Sequence, residues 1–287
     1  MLNKKAGIFV GILFAGLIAA IPLRTYIIMF DIDPKTGFYN GSRNLVTIVN
    51  ILLFVVTVLL VAPLVIKSYK KLEAAPRRSI TIGVISAVAA LAFCINAVYE
   101  FYLLASSTGG VGVFINSMLE FAAAAFFLLF SWANFKGGRI AFPIASLLPV
   151  IWATVHLMAA FMHYTTVVNI SEYLFDMLKM AFVMIFFYYH ARFTGRVTNG
   201  NELKGMLAFG LPAVFFSLIS ILPRYIAMTF GRTVTFDLPE DLLFVVLSVY
   251  IAAVLYVAFF TRNRYTVSAE LIDGKSLEGE DSKAGRE

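Results

Sequence analysis

Residues 77–139 read RRSITIGVISAVAALAFCINAVYEFYLLASSTGGVGVFINSMLEFAAAAFFLLFSWANFKGGR. Two apolar runs, 79–105 and 112–135, are joined by a stretch of small residues that includes Ser106, Gly109 and Gly110. Arg77, Arg78, Lys136 and Arg139 flank the pair. Each run reaches the ~20 residues a helix needs to cross a bilayer. Neither shows the alternation of a barrel strand. Backbone groups in lipid have no water to bond, so runs this long must be helices. The short connection makes them antiparallel neighbours.

The pattern recurs along the chain. Further apolar runs at 6–30, 44–66, 140–165, 168–191, 205–230 and 241–261 bring the count to eight. Hydrophobic residues make up 60% of the 287 and charged residues 14%, where a soluble domain carries about 25% charged. The fold class expected is an all-α integral membrane protein with about eight transmembrane helices.

The net charge of +6 alone would fit a nucleic-acid partner, but the basic residues lie between the apolar runs, where they act as topology signals. With the N-terminus inside, the inner segments hold Lys4, Lys5, Lys67, Lys70, Lys71, Arg77, Arg78, Lys136, Arg139, Arg192, Arg196, Lys204, Arg262 and Arg264. The outer loops hold Lys35, Arg43 and Arg232. This asymmetry predicts both ends in the cytoplasm, and a shifted count would scramble it. Lys4 and Lys5 ahead of a long first run read as a retained helix rather than a cleaved signal. The expected domains are a transmembrane bundle over 1–264 and a cytoplasmic tail over 265–287, too poor in bulky apolar groups to fold. Cys94 is the single cysteine, which excludes an intrachain disulfide and a cysteine metal site.

Repeated helical hairpins are suggested by three pairs of segments. Ile21-Pro22-Leu23-Arg24 parallels Ile221-Leu222-Pro223-Arg224, and Leu52-Leu53-Phe54 parallels Leu242-Leu243-Phe244. Ala133-Asn134-Phe135-Lys136-Gly137 parallels Ala191-Arg192-Phe193-Thr194-Gly195. Parallel repeats are a known transporter device. Pro63, Pro149 and Pro212 are further kink positions within the spans.

Ionisable groups in lipid are costly and need a partner or a wet cavity. The spans contain Arg24, Glu100, Glu120, Glu172, Asp176, Lys179 and Arg224. At a rise of about 1.5 Å per residue, most lie roughly 10 Å below the outer interface. The inner half of the spans carries no acidic residue on this reading. Asn96 and Glu100 share a helical face, as do Asn116 and Glu120, and Glu172, Asp176 and Lys179. Trp152, His156 and His163 form another such stripe. The candidate ligand-binding residues are therefore Arg24, Glu100, Glu120, His156, Asp176, Lys179 and Arg224. Lys179 is expected to serve Asp176 or Glu172, leaving Arg24 and Arg224 for Glu100 and Glu120.

Motifs for other chemistry fall short. There are three histidines, no H-E-x-x-H, no G-x-S-x-G and no P-loop, so neither a metal nor a cofactor is expected. Asp31-Ile32-Asp33 begins like a calcium loop, but Lys35 stands at the third ligand position. Outer sequons occur at Asn40 and Asn169, and the inner Lys67–Arg78 cluster suits anionic headgroups. The Asp-Pro-Lys-Thr-Gly-Phe-Tyr element at 33–39 resembles a loop of uncharacterised bacterial multi-pass membrane proteins, a resemblance that implies this layout and no activity. The expected function is a solute- or ion-binding or transport component of a bacterial cytoplasmic membrane, with the lipid bilayer and a small charged solute as partners. The alternative is a non-catalytic sensor or assembly subunit with a structural ion-pair layer, and an intramembrane enzyme comes third.

Overall fold

The computed structural model describes residues 2–32, 43–62, 79–106, 110–136, 143–164, 171–195, 202–232 and 237–261. Helix α1 spans Leu2–Tyr26 and runs into a π turn at Ile27–Asp31. Then follow α2 (Arg43–Val61), α3 (Ile80–Ala105) and α4 (Val111–Lys136). Helix α5 (Leu148–Tyr164) is entered through a 3-10 turn at Pro143–Leu147. The last three are α6 (Ser171–Thr194), α7 (Glu202–Thr229) and α8 (Leu238–Tyr256), the last extended by a π turn at Val257–Thr261. Eight helices among the described residues are long and apolar enough to cross a membrane. The chain is an all-α multi-pass membrane protein. The 33–39 element, both sequon asparagines, the Lys67–Arg78 cluster and the 265–287 tail lie outside the described residues.

Two helix starts differ from the sequence reading, and both bring in acidic residues. Asp237 caps α8, its side chain accepting from the Glu240 amide at 3.5 Å. Pro239 fits the first turn, where no amide proton is needed. The helix therefore begins at Leu238 rather than at 241, which brings Glu240 into its first turn and carries Asp241 inside it. Helix α7 begins at Glu202, so the inner end of that span does carry an acidic group.

The helices pack in a closed order. Each of α3 to α8 packs on the next, and α8 returns to α3. Helices α1 and α2 pack on one another and both lean on α7. Helix α7 is consequently the most enclosed span. Small residues set the tightest contact: Ala89, Ala92, Ala123 and Ala124 are buried on α3 and α4, letting the backbones approach as membrane helices prefer. The Ser131 hydroxyl donates to the Gly83 carbonyl at 2.7 Å, locking the same pair near its inner end.

Aromatic rings fill the interior of the six-helix ring. Phe93 stacks on Phe127 at 5.3 Å and meets Trp152 edge-on at 4.7 Å. Tyr250 meets Phe127 at 5.0 Å, and its hydroxyl lies 3.0 Å from His190 Nε2. The lipid-facing surface carries Phe14, Ile18, Phe54, Leu91 and Leu128, all exposed. Apolar groups so placed fit a hydrocarbon surround and would be costly in water.

Candidate functional site

Above the aromatic core, at the end assigned outside by the basic residues, polar groups from all six ring helices meet. Helix α3 supplies Asn96 and Glu100, one turn apart. Helix α4 supplies Asn116, Ser117 and Glu120. The Asn116 amide nitrogen donates to Glu100 Oε1 at 2.6 Å and to Glu120 Oε1 at 3.1 Å. Asn96 donates to the same Glu120 oxygen at 2.7 Å, and the Ser117 hydroxyl to Glu100 Oε2 at 2.8 Å. Glu120 is fully buried.

His156 of α5 joins this acidic group to the rest. Its Nδ1 is 3.2 Å from Asn116 Oδ1, and its Nε2 is 3.6 Å from Glu240 Oε1. The Asn116 nitrogen is committed to two carboxylates, so its oxygen accepts and His156 Nδ1 carries a proton; this tautomer follows from the network. A second proton on Nε2 would turn the Glu240 contact into an ion pair. Glu240 sits in the first turn of α8, where the positive end of the helix dipole favours a carboxylate.

The basic groups gather on the other side. Lys179 Nζ is 3.1 Å from Asp176 Oδ1, 4.0 Å from Glu240 Oε1 and 4.0 Å from the centre of the Phe244 ring. Arg224 Nη2 is 3.1 Å from Asp241 Oδ1 and 3.9 Å from Asp176 Oδ1. Ser220 completes the cluster, donating to Asp176 Oδ1 at 2.6 Å. Beyond the layer, burial and the neighbouring Glu240 hold the Asp237 carboxyl above the usual carboxylate range.

Six of the seven sequence candidates thus fall in one contiguous network: Glu100, Glu120, His156, Asp176, Lys179 and Arg224. Arg24 lies apart. It is buried on α1, with its guanidinium 4.1 Å from the centre of the Phe175 ring of α6. The expected pairing of arginines with Glu100 and Glu120 is replaced by another. Asparagine and serine hold those two carboxyls, while Arg224 goes to Asp241 and Asp176. The physical reason is competition: Asp241 is nearer to Arg224, and Asn96 and Asn116 already sit within reach of the glutamates. Lys179 does pair with Asp176. The side chains of His163 and Glu172 lie outside what the structure describes.

Sequence reasoning missed Glu240, Asp241, Ser117 and Ser220. The Asp237-Leu238-Pro239-Glu240 start signal would have placed the two acids inside α8. Ser220 is four residues before Arg224 and so on its face, while nothing local marks Ser117. At the inner end, Arg192 Nη2 pairs with the buried Glu202 at 3.0 Å, tying α6 to α7. Among the described residues no group of three or more His, Cys, Asp or Glu side chains is placed to hold a metal ion.

No protein-family model, curated protein or solved structure matches this chain. The class of the protein therefore rests on its own features: a multi-pass helical bundle with a charged layer enclosed in a six-helix ring.

Proposed function

We propose that this protein binds a small charged solute or ion from the outer side of a bacterial cytoplasmic membrane, as a component of transport. The observation that carries the reading is convergence. Every helix of the ring sends at least one polar side chain to the same layer, and ionisable groups at membrane depth mark solute or ion pathways by default. His156, Asp176, Arg224 and Glu240 keep partial exposure, with 16%, 19%, 15% and 33% of their side chains accessible, which supports an aqueous approach to the layer. The aromatic core beneath it supports a state closed toward the inside.

A second reading is a sensor or assembly subunit in which the layer only fixes which helices meet. The direct Lys179–Asp176 and Arg224–Asp241 contacts favour it, because buried pairs can specify packing while adding little stability. Thermal stability of the purified protein across charged solutes separates the two. A true ligand at a hundredfold its Kd stabilises by about 2.7 kcal/mol, and Asp176→Asn or Glu120→Gln should abolish that gain. A screen in which no charged solute raises the melting temperature leaves the structural reading in its place.

A further inference from the structure

The acidic half of the layer has an unmet requirement. Glu100 Oε1 and Glu120 Oε1 receive donors from Asn96 and Asn116, and Glu100 Oε2 lies 2.8 Å from the Ser117 hydroxyl, whose one proton it shares with the Val113 carbonyl at 2.9 Å. The fourth oxygen, Glu120 Oε2, is buried and has no hydrogen-bond partner among the described residues. The indole N–H of Trp152, itself fully buried, faces this carboxyl and is likewise without a partner there. Two carboxyls that accept from one amide nitrogen lie close together, and among the described residues no Lys or Arg forms an ion pair with either.

The charged groups around them do not resolve this. Helix α3 presents Glu100 itself. Helix α5 presents His156, whose second nitrogen turns to Glu240 of α8. Lys179 of α6 and Arg224 of α7 are engaged by Asp176, Glu240 and Asp241. Two like charges in so poorly solvated a place cannot both persist.

We infer that the Glu100–Glu120 pair holds one exchangeable proton, seated on Glu120 Oε2, and that a small cation displaces it. This rests on the solute-binding reading above and assigns its substrate class. The seat is Glu120 because its carboxyl is fully buried while Glu100 keeps partial exposure, and its Oε2 faces no donor but the Trp152 indole. On exchange the O–H bond of Glu120 breaks, the proton leaves to bulk water, and the cation takes its place against the two carboxylates. One charge enters as one leaves, and the layer keeps its net charge. A cation is favoured over an anion because the basic groups of the layer already have partners. Glu100 is only partly buried and gives the pair its access.

Trp152 reports on the event. The chain has two tryptophans, so Trp132→Phe leaves Trp152 as the sole emitter, and a protonated carboxyl quenches a neighbouring indole more than a carboxylate does. In the full-length protein in detergent, Trp152 emission should rise with pH along a single-proton curve. Sodium or tetramethylammonium chloride, compared with N-methylglucamine chloride at equal ionic strength, should move the midpoint to lower pH. The shift should approach about one pH unit per tenfold increase in cation, as one-for-one competition requires. A pH indicator in weakly buffered solution should register about one proton released per chain by the same mass-action stoichiometry.

Glu120→Gln should abolish both responses, while Glu202→Gln, at the opposite end of the bundle, keeps the titration. Should Glu120→Gln fail to fold, Glu100→Gln serves instead, retaining a titration and losing the cation competition. A flat emission profile, a titration surviving in Glu120→Gln, or a midpoint indifferent to both cations overturns the inference. A solute screen in which only anions stabilise, together with a cation-blind titration, overturns it while the solute-binding reading stands.

Discussion

Asn116 ties the acidic half of the layer together, because it holds three groups at once. Its nitrogen serves Glu100 and Glu120, and its oxygen serves His156. Interhelical hydrogen bonds in membranes average about 0.6 kcal/mol and reach about 1.7, so Asn116→Ala should lose about 1–3 kcal/mol in reversible unfolding from mixed micelles. A loss no larger than that of a lipid-facing control such as Leu128→Ala would count against the hub. Arg224 gives a sharper test. Arg224→Ala and Asp241→Ala should couple by about 1 kcal/mol or more, since each single change strands a partner. Arg224→Ala and Glu120→Ala, linked only through the intervening Asn116, His156, Glu240, Lys179 and Asp176, should couple more weakly than that pair. The reverse pattern would restore the pairing first expected from depth alone. That expectation shows where sequence stops. The i,i+4 spacing of Asn116 and Glu120 revealed a shared face, but which cation meets which carboxylate depends on ring order and side-chain reach. Neither is written in one helix at a time.

At the scale of the helix, hydropathy located all eight spans because lipid penalises any unpaired backbone group. It placed the start of α8 three residues late, because Glu240 looks like a loop residue when only apolarity is counted. The cap at Asp237 and the proline at 239 were the better guide. Close helix contacts were less visible. Gly205 and Gly11 look alike in sequence, both sitting near the inner ends of their spans. In the structure a Cβ on Gly205 would fall 2.4 Å from the Tyr189 ring, whereas one on Gly11 meets nothing within 4 Å. Gly205→Ala should therefore cost about 1–3 kcal/mol, as overpacking does. Gly11→Ala should be neutral or stabilise by up to about 1 kcal/mol through helix propensity. Melting temperatures of the two variants side by side decide the matter, and equal values would refute the α6–α7 contact as described.

At the scale of the molecule, six helices close on themselves and two stand beside them. The ring carries the whole polar layer except Arg24. The α1–α2 pair is fastened at α7, where Gly16 brings Val56 and Phe215 close, and at α6, where Arg24 lies over Phe175. This division predicts how the chain tolerates being cut. Separating it after Ala74 divides the pair from the ring between α2 and α3. Removing two spans leaves the sense of every remaining span unchanged, and the basic residues divide suitably. Lys4, Lys5, Lys67, Lys70 and Lys71 stay with the first fragment, while Arg77 and Arg78 lead the second, so each piece keeps its own orientation signal. Co-expressed fragments 1–74 and 75–287 should insert independently and copurify. Fragment 75–287 alone should retain the Trp152 environment but melt earlier, because one face of α7 then meets lipid instead of α1 and α2. Phe175→Ala should weaken copurification without altering Trp152 emission, since it removes the Arg24 contact and leaves the layer intact. The decisive comparison is a second cut within 137–142, between α4 and α5, which interrupts the ring itself. If that cut reassembles while the one after Ala74 does not, the molecule is not a six-helix ring with an attached hairpin.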